Sequence, residues 1–458
     1  MFFRQYDLAC LSLYSYLIGD ATTGRAVVID PQRDIGEYLA DAEANGLRIE
    51  RVIETHFHAD FLSGHLELAE ATGATISYGD VATTDFPMEP LAHRQRLPLG
   101  EVVLEIRHTP GHTPEGISIV VYEHVDADPW AVLTGDTLFI GDVGRPDLLT
   151  SVGRTADSLA RDLHRSLQEQ LLTLPDLTKV YPAHGAGSAC GKDLSTLPSS
   201  TIGEQRQTNY ALRPMSDDEF VDVVTEGQGA APLYFAFAAD ANRRERELLD
   251  DHEAPAILSI DDALALGEAG AMLLDTRSPE SFASGHVRGS TNVGLDGRFA
   301  EYAGDVVSPG QQVVLISDAG RGIEGKIRLA RIGFDDVAGE VPDIERVLAE
   351  RPELATSARR LPVGEVAAWL AEDPDLQVVD VRNPGEIVDG DTVPGAHLLP
   401  LPQLLDHLDE LDRRRPTVVY CAGGYRSSVA ASTLRAHGFT TVADLIGGYG
   451  AWASRRSG

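Results

Sequence analysis

Residues 55–60 read Thr-His-Phe-His-Ala-Asp. Two histidines two residues apart, followed by an aspartate, put imidazole and carboxylate donors on one short loop, which is a metal-binding pattern. Three other segments are built the same way. Val102 to Arg107 leads through His108-Thr109-Pro110-Gly111 to His112, Ala131-Val132-Leu133 leads to Asp136, and Lys179-Val180-Tyr181 leads to His184. A lone histidine at a strand end is more often a packed residue. Four strand ends carrying His or Asp beside Gly and Pro turns are how α/β folds assemble sites. His56, His112 and Asp136 offer two imidazoles and a carboxylate. Bound on one face of an ion they leave positions open for substrate and O2, as in non-haem Fe(II) enzymes, although zinc accepts the same donors. Phe61, next to Asp60, offers no donor.

A second chemistry sits far down the chain, in Tyr420-Cys421-Ala422-Gly423-Gly424-Tyr425-Arg426-Ser427. A strand over 416–420 is expected before it and a helix over 428–437 after it. A cysteine at a helix N-terminus meets the positive end of the dipole and free N–H groups, and Arg426 adds a cation; all three favour thiolate. Gly423 and Gly424 let the backbone fold around an anionic sulfur species. Cysteine phosphatases place five residues between Cys and Arg, but here there are four. Cys10 and Cys190 receive no role, and His65 and His164 are expected to be surface or packing residues.

The elements that position these groups follow a repeat. Leu273 to Arg277 matches Val378 to Arg382, Val287 to Ser290 matches Val393 to Ala396, and Ile332-Gly333-Phe334 matches His437-Gly438-Phe439. The spacing points to two copies of one β/α domain, preceded by a longer region. Domains are expected over 1–245, 256–352 and 356–458, with the charged stretch 240–256 as a linker. A length of 458 residues allows roughly three domains. The net charge of −33 argues against nucleic-acid or membrane-surface binding. Three cysteines are too few for a disulfide framework and fit a cytoplasmic location.

The first region resembles the metallo-β-lactamase superfamily, which implies an αββα sandwich. In its two-metal members residue 61 is a histidine that helps hold the second ion, so Phe61 implies mononuclear occupancy. The motifs at 55–60 and 108–113, with Thr134-Gly135-Asp136, Gly144-Arg145-Pro146-Asp147, Tyr181-Pro182-Ala183-His184 and Thr201 to Asn209, resemble the persulfide dioxygenases. The resemblance implies Fe(II), one per chain, on His56, His112 and Asp136, with His58, Asp60 and His184 surrounding it. It also implies a low-molecular-weight thiol persulfide and O2 as substrates, and a homodimer or homotetramer. Arg145 is a candidate for the substrate carboxylate, or else pairs with Asp147; Tyr181 is a candidate pocket wall. The Cys421 loop, with Asp380-Val381-Arg382 and Leu445 to Tyr449, resembles the rhodaneses. That implies a Cys421 persulfide passing sulfur to sulfite to give thiosulfate, with Arg426, Gly423 and Gly424 stabilising the anion. Asp318 stands where the first copy would need its cysteine, so that copy resembles an inactive rhodanese. The expected whole is thus an αββα sandwich followed by two rhodanese-like α/β domains. The rivals are a zinc thioester hydrolase of the hydroxyacylglutathione hydrolase type and a non-oxidative persulfide-binding sulfurtransferase.

Overall fold

The computed structural model describes residues 1–148, 154–388 and 390–456. Residues 389, 457 and 458 of the expected third domain lie outside the described residues. The chain forms two units, Met1–Gln228 with Phe235–Leu249, and Gly229–Tyr234 with Asp250–Gly458.

In the first unit, β1 (Phe2–Leu8), β2 (Leu13–Asp20), β3 (Arg25–Ile29), β4 (Arg48–Ile53), β5 (Thr75–Gly79) and β6 (Glu89–Leu91) form one sheet in chain order. A second sheet runs from β7 (Arg96–Pro98) through β8 (Val103–His108), β9 (Ile117–Tyr122), β10 (Ala131–Gly135) and β11 (Lys179–Pro182) to β12 (Ser200–Thr201). Side chains alternate faces along a strand, and these strands are apolar on both faces, so each sheet must be covered twice. Tyr16, Ile18, Val27, Ile29, Ile119, Val121, Ala131 and Leu133 meet in the core between the sheets. Their neighbours Leu17, Ala26 and Val28 pack outward with Tyr38 and Leu68 from helices α1 (Gly36–Ala44) and α2 (His65–Thr72). On the other side Val120 and Val132 pack outward with Ala160 and Leu163 of α3 (Ala156–Ser166). Three cores make four layers, the expected αββα sandwich.

The stretch expected as a linker departs from that reading. Residues 235–249 belong to the first unit. Asn242 is buried, and Arg246 forms a bidentate pair with the buried Glu67 at 2.6 and 3.0 Å. Arg246 is thus matched to a buried carboxylate, while Arg244, Glu245, Glu247, Asp250, His252 and Glu253 stay exposed.

In the second unit both copies have parallel sheets. The first is ordered Thr291–Asn292, Met272–Asp275, Val313–Ser317, Val337–Pro342, and the second Ala396–Leu398, Gln377–Asp380, Thr417–Tyr420, Val442–Leu445, Arg359–Leu361. The shared order follows the sequence repeat strand for strand. Where the second copy has Arg359–Leu361 at its edge, the first has a parallel bridge from Ile257 to Glu340. Each copy also buries a bidentate Arg–Asp pair after the same strand, Arg277 on Asp275 and Arg382 on Asp380.

Candidate metal and sulfur sites

The four loops carrying the expected donors leave the ends of β4, β8, β10 and β11, and they converge. His56, His112 and Asp136 form one group of potential ligand atoms, all buried and within 4.8 Å of one another. His112 Nε2 is 3.4 Å and His56 Nε2 3.9 Å from Asp136 Oδ2. Hydrogen bonds fix which ring nitrogen faces inward. Thr55 Oγ1 donates its single proton to Asp30, so it accepts from His56 Nδ1 at 2.9 Å. His112 Nδ1 donates to the Arg145 carbonyl at 2.9 Å. Both rings therefore present an Nε2 lone pair to a carboxylate. His56 Nε2 and both Asp136 oxygens have no hydrogen-bond partner. Buried acceptors facing acceptors are costly unless a cation lies between them, so these residues fit a metal ion. Burial, then the charges of His58, His112 and His184, holds the His56 imidazolium well below its usual range, leaving the neutral ring a ligand needs.

The outer ring is less uniform than expected. His184 Nε2 stands 3.3 Å from Asp60 Oδ2 and 3.4 Å from Asp136 Oδ1, and its Nδ1 donates to the Ser12 carbonyl. His58 instead places Nε2 3.0 Å from Asp30 and 3.4 Å from Glu54. Burial opposes its charge, but those two carboxylates outweigh burial and push its pKa well up. Its Nδ1, on the other side of the ring, is buried without a hydrogen-bond partner.

Cys421 ends the strand Thr417–Tyr420 and precedes the helix Tyr425–Ala436. The Gly424 N–H donates to its Sγ at 3.1 Å, and Ser427 Oγ stands 3.7 Å from the same sulfur. Gly424 caps the helix with φ of 104°, a left-handed conformation that a side chain would strain. Gly423 has open space where a Cβ would stand. Arg426 forms a bidentate pair with Glu386, both contacts 2.6 Å.

Residues 9–184 match the Metallo-beta-lactamase superfamily, and residues 259–338 and 363–455 match the Rhodanese-like domain. The persulfide dioxygenase ETHE1 of Bos taurus is 32% identical over 235 residues, covering 50% of this chain and 83% of that protein. The human protein of the same name is 31% identical with the same coverage. The chain belongs to the persulfide dioxygenase family. A metallo-beta-lactamase structure from Staphylococcus aureus is 33% identical, with a TM-score of 0.69, and covers 74% of this chain and 99% of that one. That coverage runs well past the first unit. This member of the family is thus a metallo-beta-lactamase fold fused to two rhodanese-like domains.

Two expected substrate contacts in this persulfide dioxygenase homologue are placed otherwise. Arg145 is buried and clamps Asp147 bidentately at 2.7 and 2.8 Å. Its guanidinium also reaches the Ala189 carbonyl, its N–H the Cys190 carbonyl, and its own carbonyl holds His112. The guanidinium thus fastens the site loops together. Tyr181 points into an aromatic cluster with Phe3, Tyr16 and Trp130, because alternation along β11 turns it into the sandwich. His65 and His164 are packing residues, one against Phe86 and the other stacked on Phe220.

Sequence reasoning missed four residues. Asp30 and Glu54 flank His58. Asn242 donates to the carbonyls of His58 and Phe61 at 2.8 Å each and accepts from the Ser63 N–H, so it staples the metal loop. Cys190 groups with Asp60 and His184. Its only signal was its place in a Gly-rich turn six residues after a candidate ligand. Among the described residues no helix is long and apolar enough to cross a membrane.

Proposed function

We propose that this chain is a non-haem Fe(II) persulfide dioxygenase coupled to a rhodanese. It oxidises a low-molecular-weight thiol persulfide to sulfite and combines that sulfite with sulfane sulfur to give thiosulfate. The observation that carries the reading is the pairing of a buried two-His, one-carboxylate donor set with a second, cysteine-centred sulfur cradle in one chain. The domains proposed for these roles are 1–245, 256–352 and 356–458.

His56, His112 and Asp136 would hold one catalytic Fe(II) per chain. Iron bound there would supply open positions and electrons for sulfur and O2. The donor set carries a single negative charge, so with a divalent ion the centre stays positive and attracts a persulfide anion. His58, Asp60 and His184 would line and orient the centre. Thr55 and the Arg145 carbonyl keep both imidazoles turned inward. Arg145, clamped on Asp147, would hold the loops around the centre, while Tyr181 packs inside the sandwich. In the overall balance one thiol persulfide, one O2 and one water give one thiol, one sulfite and two protons. The outer sulfur loses four electrons and O2 gains them.

At the second site Cys421 would carry a persulfide taken from another substrate molecule. The Gly424 N–H and the helix N-terminus stabilise the sulfur anion, Gly423 leaves room for it, and Arg426 is fixed at the rim by Glu386. Sulfite attacks the outer sulfur, the S–S bond to Cys421 breaks, and thiosulfate leaves with Cys421 as thiolate. Fusion raises the concentration of sulfite near its acceptor. Cys421→Ser protein should consume O2 at close to the normal rate and release sulfite in place of thiosulfate. Unchanged thiosulfate output would contradict the division of labour.

One observation favours a second reading, a metal-dependent thioester hydrolase. Asp60, His184 and Cys190 stand beside the first donor group, and hydrolases of this fold class activate water between two ions. Thioester hydrolysis without O2 uptake would support it.

A further inference from the structure

We propose that Tyr425 is a positioning residue for the Cys421 cradle, and that the cysteine-less first copy is the element that holds Tyr425 in place. The inference deepens the functional reading above and rests on its assignment of sulfur transfer to Cys421.

The stretch from Cys421 to Arg426 is held at both ends by its own copy. The Tyr449 N–H donates to the Cys421 carbonyl at 2.6 Å, and the Gly450 N–H to the Ala422 carbonyl at 3.1 Å. At the other end Glu386 clamps Arg426. Between them lie Gly423 and Gly424, the residue type with the freest backbone. Tyr425 is the first side chain after them that can fix the turn, and it reaches out of its own copy. Its hydroxyl donates to the Gly294 carbonyl. Burial, then the neighbouring Tyr302, raises its pKa, so the hydroxyl keeps the proton it donates. A Cβ built on Gly294 or on Gly297 would stand 3.6 Å from the two edges of the Tyr425 ring. The ring of Tyr302 stands beside it with centroids 5.2 Å apart. Seven residues on, two turns along the same face of the helix Tyr425–Ala436, Ser432 Oγ accepts from the Asn292 N–H at 2.9 Å. The helix that begins at the cradle is thus docked on the first copy along one face.

The first copy secures the loop that receives it. Asn292 Nδ2 donates to the carbonyls of Asp275 and Arg277 at 2.9 Å each. Arg328, on the helix Gly322–Ala330, donates to the Leu295 carbonyl, and Arg321 donates to Asp296 at 3.2 Å. The arginine that follows the Asp318 turn therefore braces the docking loop. The consequence is chemical. When Cys421 gives up its outer sulfur, negative charge develops on Sγ, and the Gly424 N–H is already aimed at that atom from 3.1 Å. Gly424 directly precedes Tyr425, so the anchored ring fixes the direction of that N–H. Without the anchor the two glycines are free to turn it away.

The test uses the full chain, loaded anaerobically with glutathione persulfide, desalted and mixed with cyanide. Cyanide attacks the outer sulfur, the S–S bond to Cys421 breaks, and thiocyanate leaves with Cys421 as thiolate. The thiocyanate yield counts loaded sites, and its time course gives the rate per site. Tyr425→Phe keeps the ring and loses the hydroxyl. It should load like wild type and release sulfur about threefold to tenfold more slowly per loaded site, the size of one net hydrogen bond. A merely structural role would lower the yield and leave the rate per site unchanged. The wild-type rate per site in Tyr425→Phe, at any yield, would overturn the proposal. Where that variant folds poorly, Arg328→Met, which loosens the same loop from within the first copy, decides on the same readout. Wild-type protein that loads no sulfur, or loading that survives Cys421→Ser, would remove the sulfur-transfer reading and this inference with it. Normal loading with unaltered release in the variants removes the inference alone.

Discussion

Asp136 is the residue on which the site turns, and its position depends on a neighbour without a side chain. A Cβ built on Gly144 would stand 1.9 Å from the Asp136 carbonyl oxygen and 3.2 Å from the His112 Cβ. Gly144→Ala must therefore push apart the loops that carry two of the three donors. Iron affinity is expected to fall about tenfold or more, as for other residues that support ligands. Iron retained after dialysis against a chelator measures this, and wild-type retention would contradict it. The donors themselves were legible from the sequence because their types and spacing are chemically restrictive. Their supports were not. Asn242 holds the His58 carbonyl across 184 residues of chain, and Asp30 reaches Thr55 across 25. Neither distance leaves a local pattern. Arg145 was legible as a choice between a substrate contact and a pair with Asp147, and the short bidentate geometry displays the pair.

Among the elements, strands were read more easily than what covers them. Apolar runs ending in Gly, Pro and a polar donor marked β4, β8, β10 and β11, and the structure sets the candidate ligands at those ends. The stretch 240–256 misled because Arg and Glu in sequence suggest solvation, whereas Arg246 finds Glu67 and Asn242 finds backbone that only the fold exposes. The first rhodanese-like copy contains an element with a pH signature. His286 lies in the short strand His286–Val287, paired with Ala355–Thr356, and stacks on Phe282 with centroids 3.7 Å apart. Burial, aided by the nearby charges of Arg435, Arg277 and Arg288, pushes its pKa down to about 4 against the opposing hydrogen bond to the Phe282 carbonyl. A folded-state pKa below the unfolded one gives stability that is fully present above about pH 6.5. It is lost as pH falls toward 4, where the unfolded chain takes up a proton that the buried ring refuses. Denaturant midpoints of the second unit's transition in the full chain should drop between pH 7 and 4.5, by roughly 2–3 kcal/mol from this group. The drop should be smaller by that amount in His286→Gln. An equal drop in both proteins would contradict the assignment.

At the scale of the whole molecule, the repeat at a spacing near 105 residues foretold two copies with one strand order, and the sheets follow it. Asp318 stands in the first copy where Cys421 stands in the second under the Gly424 N–H, so the second copy alone offers a sulfur at that position. In the proposed reading the fusion would join an oxidising centre that yields sulfite to a cradle from which sulfite takes sulfur, which would give the three-part chain its chemical sense. The metal identity decides whether that sense is right. Protein purified anaerobically should contain iron at the His56, His112 and Asp136 centre and consume one O2 per glutathione persulfide oxidised, with activity lost on replacing that iron by zinc. Zinc as the native ion at that centre, with thioester hydrolysis and no O2 uptake on persulfide, would contradict the account.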